Sequence, residues 1–183
     1  MNSNQLISKR LVIRPIQKTD AESVYSYRSD SVTNKYQGWI PKTIDDVADF
    51  IENRVSSTIN LDGTWFQFVI LIKETGELIG DAGLHFFDPE YKQVELGCTI
   101  SKKHQNLGFA SEALTEIMRF LFEDLNKHRI IASIDPENTG SIKLVKKLGF
   151  RQEAHFKESI LKNEEWVDDL VFAILRKEWE VKL

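Results

Sequence analysis

The chain has 183 residues, a formal net charge of -4, 42% hydrophobic residues and 28% charged residues. That is the profile of one soluble domain, large enough to bury roughly 70% of its unfolded surface without staples. The acidic balance excludes a general nucleic-acid binder. The single cysteine, Cys98, excludes an internal disulfide and a cysteine-based zinc site. No apolar run reaches the roughly 18 residues of a membrane span, and the N-terminal stretch lacks the apolar run of a signal peptide. The expectation is a cytoplasmic protein in a reducing compartment, with no metal and with neither nucleic acid nor membrane as partner.

Leu11 to Arg14 reads as a short strand ending at Pro15. Thr19 and Glu22 have capping-box spacing, so a helix is expected over Asp20 to Arg28. Ser29 to Pro41 is irregular and carries Tyr36 and Trp39. Thr43 with Asp46 marks a second helix start, and Ile44, Val47, Ala48, Ile51 and Val55 recur at helical spacing. Asp45, Asp46, Asp49 and Glu52 share a face that reads as solvated surface. Trp65 to Ile72 is a strand. The turn Glu74-Thr75-Gly76-Glu77 joins it to a hairpin partner, Leu78 to Phe87, which Asp88-Pro89 ends. Gln93 to Ile100 is the next strand.

The clearest element follows. Ala110, Ala113, Leu114, Ile117, Met118, Leu121, Phe122 and Leu125 form one apolar helical stripe. Arg129 to Ile134 is a strand, and Thr139 to Leu148 a helix closed by Gly149 as a C-terminal cap. Gln152 to Leu161 and Glu165 to Leu175 bracket Lys162-Asn163-Glu164 as a closing hairpin. A meander of strands followed by strand–helix–strand units implies an α/β fold with a mixed, mostly antiparallel sheet.

Two helix starts stand out. A helix N-terminus leaves about four N–H groups unpaired and carries the positive end of the helix dipole. In the stretch HQNLGFA, Gly108 permits close backbone approach and Ala110 lets the helix sit tight, which suits a phosphate. The second start, Asn138-Thr139-Gly140-Ser141, places Ser141 on the face of Leu144, Val145 and Leu148. Lys143, Lys146 and Lys147 read either as a solvated lysine face or as a contact to a phosphate.

QNLGFA (residues 105 to 110) and NTGSIKLVKKLGF (residues 138 to 150) together resemble the GNAT superfamily of acetyl-CoA-dependent N-acyltransferases. The first matches its Q/R-x-x-G-x-G/A motif, with Gln105, Gly108 and Ala110 in the fixed places. The second matches its N-x-x-S…LGF segment. KRLVIRPIQKTDAESVYSYRSD and WVDDLVFAILRKEW are similar to the ends of the RimJ/RimL-like branch, which acetylates protein N-termini and other amines. The resemblance covers nearly the whole chain and implies one acyltransferase domain over residues 1–183. It implies about seven strands, splayed in the middle between Gln93–Ile100 and Arg129–Ile134, with helices on both faces. Acetyl-CoA would lie in that cleft. Backbone groups of Gln105, Asn106, Leu107, Gly108, Phe109 and Ala110 would grip its pyrophosphate. Those of Cys98, Thr99 and Ile100 would pair with the pantetheine arm. Asn138, Ser141 and Lys143 would complete the cofactor side.

Acetyl transfer from a thioester to an amine requires a deprotonated amine, donors for the oxyanion and a proton for the thiolate. Glu95, on the cleft strand, is the candidate base, with Asp168 and Glu158 of the closing hairpin in reserve. Ser141 is the candidate acid, because no tyrosine follows Leu148-Gly149-Phe150 in the place where other members of the superfamily carry one. Tyr36 and Trp39 are candidates for the acceptor wall or for closing the core. His85 and Asp168 are further candidates on the acceptor side. Cys98 reads as strand packing rather than a nucleophile, and His85, His104, His128 and His155 lack metal-ligand spacing. The acceptor is an amine on a protein N-terminus or a small molecule, the alternative function is a non-catalytic acyl-CoA-binding or sensing module on the same fold, and the sequence leaves monomer or homodimer open.

Overall fold

The computed structural model describes residues 4–87, 92–162 and 164–180. Two expectations, the strand end at Asp88-Pro89 and Asn163 of the hairpin turn, lie outside the described residues. The strands are β1 (Leu6–Ile7), β2 (Leu11–Pro15), β3 (Thr64–Ile72), β4 (Leu78–Phe86), β5 (Gln93–Ile100), β6 (Arg129–Ile134), β7 (Arg151–Lys162) and β8 (Glu165–Leu175). The helices are α1 (Ala21–Arg28), α2 (Ile44–Asn53), α3 (Phe109–Arg119), α4 (Thr139–Leu148) and α5 (Arg176–Glu180). Among the described residues, eight strands form one sheet in the order β1-β2-β3-β4-β5-β6-β8-β7. The expected seven becomes eight because the two-residue β1 folds back on β2, pairing Leu6 with Ile13. No apolar periodicity can announce so short a strand.

Local chemistry sets the boundaries. At α2 the expected capping box forms, with the Thr43 hydroxyl accepting from Asp46 N–H and the Asp46 carboxylate accepting from Thr43 N–H. Val55 falls beyond α2 because the helix ends at Asn53. The Thr19–Glu22 box does not form. Instead Asp20 accepts from the Gln17 N–H and binds the Arg14 guanidinium at both oxygens, so a 3-10 turn over Lys18–Asp20 leads into α1. The long apolar stripe is one rod in two forms, α3 and then a π-helical turn over Phe120–Asp124. The unanticipated α5 docks Trp179 against Phe122, with ring centroids 6.0 Å apart.

Helices cover both faces, as expected. On one face Ala113, Leu114, Ile117 and Met118 of α3 and Val145 and Leu148 of α4 join the main core with Phe68, Leu84, Val94, Ile130 and Phe172. On the other, Val24 and Tyr27 of α1 and Val47 of α2 pack over Val69. No helix among the described residues is long and apolar enough to cross a membrane.

A buried polar knot holds α1 to the sheet. The Asp81 carboxylate, 1% exposed, accepts from Tyr27 Oη, Gln67 Nε2 and two nitrogens of Arg28. Burial, then the Asp81 charge, pushes the Tyr27 phenol well up. Burial works to lower the Arg28 guanidinium, but Asp81 outweighs it and the net shift is upward. The knot therefore holds one fixed set of charges.

One strand pair decides the architecture. β5 and β6 run parallel and pair only at Gln93–Arg129, Val94–Ile130 and Glu95–Ile131. Past that rung β5 stays with β4, Ile100 opposite Gly80, while β6 stays with β8, Ile134 opposite Leu170. Gly80 enables the first attachment, since a Cβ there would lie 2.3 Å from the Thr99 carbonyl oxygen. The fork lies where the resemblance implied it.

Replacing Asp81 by Ala strands the buried Arg28 charge and is expected to cost about 3–5 kcal/mol of stability. Replacing Arg10, whose pair with Glu112 is partly exposed, should cost about 1 kcal/mol or less. Urea unfolding of both variants separates the two values.

Candidate active site

The fork opens a groove of about 470 Å³, lined by Cys98, Thr99 and Ile100 of β5, by the loop into α3, and by Gly140, Ser141, Leu144 and Lys147 of α4. A recess of about 120 Å³ continues it toward the fork, between Leu96 and Gly97 on one side and Ala132 and Ser133 on the other. Beyond Glu95 the β6-facing edge of β5 has no strand partner, so its backbone groups face this gap. That is the arrangement into which an extended arm can pair.

The two helix starts differ. No side chain caps α3; its N-cap residue is Gly108, at φ +83°. Asn106 also lies in the left-handed region, at φ +62°. Left-handed residues two apart turn the chain sharply into a helix start whose N–H groups have no side-chain cap, and backbone of that kind can bind an anion. The Gln105 side chain anchors the loop by donating from Nε2 to the Ile100 carbonyl at 2.9 Å. Arg10 anchors it from outside, donating to the Leu107 carbonyl and to Glu112 while its guanidinium lies 4.4 Å from the Phe109 ring centroid. By contrast α4 is capped: the Asn138 side-chain oxygen accepts from the Ser141 N–H at 3.1 Å.

Ten of the expected site residues meet in the groove: Tyr36, Cys98, Thr99, Ile100, Gln105, Asn106, Gly108, Ala110, Asn138 and Ser141. Ser141 lines both the groove and the recess. Glu95 sits at the apex of the fork, on the last rung before the strands part, with its side chain 28% exposed. His85 is its partner across β4, with Nδ1 3.5 Å from the carboxylate. Burial pushes the Cys98 thiol up to about 12, with the Asp81 charge adding to the effect. At neutral pH it is a thiol and no nucleophile.

Several expectations are corrected. Trp39 is not a groove wall; it stacks on Phe50 at 4.5 Å and closes the α1–α2 cluster. Tyr36 spans the groove mouth, donating from Oη to the Glu137 carbonyl at 3.0 Å. Asp168 lies outside the groove and accepts from Lys157 Nζ, the Glu158 N–H and His155 Nε2. The Lys157 bond first, then the other two, holds its carboxyl far below the usual range, which makes it a poor proton acceptor. Glu158 is held in the left-handed region, at φ +44°, within the same β7 irregularity. Lys143 gives its place on the groove to Lys147, one turn along α4. The expectation for Leu107 and Phe109 concerned their backbone groups; their side chains lie elsewhere, Leu107 55% exposed and Phe109 against Arg10. Thr33 and Gln37 line it unforeseen, because an irregular segment carries no periodic signal of its facing. Lys147 was within reach of the sequence, since Gly140 and Lys147 lie two turns apart on one stripe. Among the described residues, no group of three or more His, Cys, Asp or Glu is placed to hold a metal ion.

Known proteins are similar to this chain along almost its full length. The acetyltransferase (GNAT) domain family matches residues 10–151. The chain is 35% identical over 177 residues to the uncharacterized N-acetyltransferase YnaD of Bacillus subtilis strain 168, covering 95% of this chain and 98% of that one. It is 26% identical over 182 residues to the [ribosomal protein uS5]-alanine N-acetyltransferase of Escherichia coli K12, covering 96% and 92%. A GNAT-family acetyltransferase from Bacillus anthracis superposes with a TM-score of 0.84 at 32% identity, over 95% of this chain and 99% of that one. A forked sheet, an uncapped α3 start in the fork and a match along almost the full chain lead to one conclusion: the protein is an N-acetyltransferase and belongs to the GNAT family.

Proposed function

We propose that the protein transfers the acetyl group of acetyl-CoA to a primary amine, with a protein N-terminal α-amine as the leading acceptor class and small-molecule amines as the other. The observation that carries this reading is the fork. It opens a groove between an unpaired strand edge and an uncapped helix start, with Glu95 on the last paired rung at its apex and outside the lining of either cavity. The fit to acetyl-CoA is chemical. The Asn106–Gly108 curl and the first turn of α3 offer N–H groups to a pyrophosphate, Lys147 offers a cation to a further phosphate, and Leu96–Ile100 offer peptide groups to an amide-bearing arm. The cofactor supplies the activated acetyl thioester. The name of the Escherichia coli relative, an enzyme of a ribosomal protein alanine, supports the α-amine class.

The chain's own residues then divide the work. Glu95, at the apex, takes a proton from the acceptor ammonium through water. Backbone N–H groups of β5 beyond Glu95 donate to the carbonyl oxygen as negative charge gathers on it. The Ser141 hydroxyl, facing both groove and recess, donates to the departing sulfur. An α-amine ionises at a pKa of about 7.7–8.0 and a lysine amine at about 10.4, so a carboxylate base meets the lower demand more readily.

Calorimetric titration should show saturable binding of acetyl-CoA and CoA, with dephospho-CoA weaker by about tenfold, or about 1.4 kcal/mol. Absence of both heat and thermal stabilisation at millimolar cofactor would refute the reading. Glu95→Gln should lower kcat by about 10²–10⁴-fold with acetyl-CoA affinity unchanged. Native Cys98 should resist a thiolate-selective alkylating reagent at neutral pH and react fully after unfolding, as read by mass spectrometry, because its raised pKa leaves almost no thiolate.

A further inference from the structure

The Glu95 carboxylate belongs to a chain of contacts that neither cofactor binding nor sheet stability requires. Trp65, His85, Glu95 and Ile131 form one continuous rung across β3, β4, β5 and β6. On it the His85 ring stacks on Trp65, centroids 4.7 Å apart and planes 5° apart. Phe87 flanks the same ring at 5.7 Å. Gly83 makes room for the stack, since a Cβ there would lie 3.3 Å from the Trp65 ring. The clamped imidazole turns Nδ1 toward the Glu95 carboxylate at 3.5 Å. Trp65 is 40% exposed and Phe87 36%, so the clamp stands at the surface, where a stack contributes little to the core.

We infer that His85 is a positioning residue for Glu95, held in place by the Trp65 stack. The inference rests on the reading of Glu95 as the base. A glutamate on an open strand samples several rotamers, whereas a base must point at the proton it removes. An imidazole held by a ring stack fixes that direction with little freedom of its own. A lysine or arginine in the same place would hold the carboxylate equally well but depress its basicity. Asp168, held by Lys157, shows that outcome in the same molecule. The groups on the rung around the pair are apolar or aromatic, Ile131 on β6 and Trp65 on β3, so neither adds a cation. The partner beside Glu95 is therefore a ring fixed by stacking, with no lysine or arginine on the rung.

A double-mutant cycle tests this, using acetyl-CoA and the best amine from a panel of N-terminal peptides and small amines, with CoA release as the signal. His85→Ala should lower kcat about tenfold or more, with the acceptor KM and acetyl-CoA affinity within twofold of wild type. His85→Asn, which keeps an N–H near the position of Nδ1, should restore most of the rate. Trp65→Leu should fall between the two. In a Glu95→Gln background, His85→Ala should cost nothing further. Thermal unfolding and cofactor titration of each variant exclude misfolding. The inference is overturned if His85→Ala keeps wild-type kcat while Glu95→Gln is inactive, which leaves the base assignment standing. It is also overturned if the two losses multiply. If Glu95→Gln keeps its rate, or no amine of the panel supports CoA release, the base or transfer reading fails and the inference goes with it.

Discussion

Backbone hydrogen bonding forces the organisation of this molecule. Every strand must satisfy its peptide groups on both sides, yet β5 and β6 pair for three residues and then separate. Each needs firm support on its other side for the separation to persist. β5 has it from β4, which Gly80 admits to close contact, and β6 has it from β8 along its whole length. The wedge between them is bounded below by α3 and α4, whose apolar stripes belong to one core. The groove is thus a gap in pairing, framed by two strands that are each held firmly on their far side.

Three carboxylates show how surroundings divide labour among like groups. Asp81, buried under α1, is saturated with donors and ties helix to sheet. Asp168, on the exposed hairpin, is bound to a lysine, an imidazole and a peptide N–H, and it fixes the β7 irregularity at Glu158. Glu95 stands half-exposed at the apex with one imidazole beside it. Of the three, it alone is neither buried under a helix nor bound to a lysine or arginine. Burial and the kind of partner, more than residue type, separate an anchor from a reactive group.

Much of this was legible in the sequence, for reasons that can be named. The stripe from Ala113 to Phe122, the box at Thr43–Asp46 and the Gly149 cap are local signals, and each produced its element. The two spaced motifs placed both groove walls because they are backbone devices written in glycine, glutamine and asparagine. What could not be read was contact across elements. Nothing in the local pattern around Trp39 says that it stacks on Phe50, and nothing around Thr19 says that Asp20 prefers Arg14 to a capping role. The pairing of His85 with Glu95 required the β4–β5 register, which the local pattern of neither strand states. The exchange of Lys143 for Lys147 shows the residual error of a wheel drawn without its partner surface.

The uncapped start of α3 bears on how such a chain can change over time. Its inward-facing donors are main-chain groups, and the side chains around them point elsewhere: Leu107 into solvent, Phe109 onto Arg10. Substitution at those positions alters the exterior and leaves the donors in place. The curl tolerates little only where backbone dihedrals are unusual, at Asn106 and above all at Gly108. Lineages can therefore drift widely in this loop while retaining the same helix start. The rung of Trp65, His85 and Glu95, by contrast, is assembled from side chains and has no such insulation, so a single replacement there alters the contacts themselves.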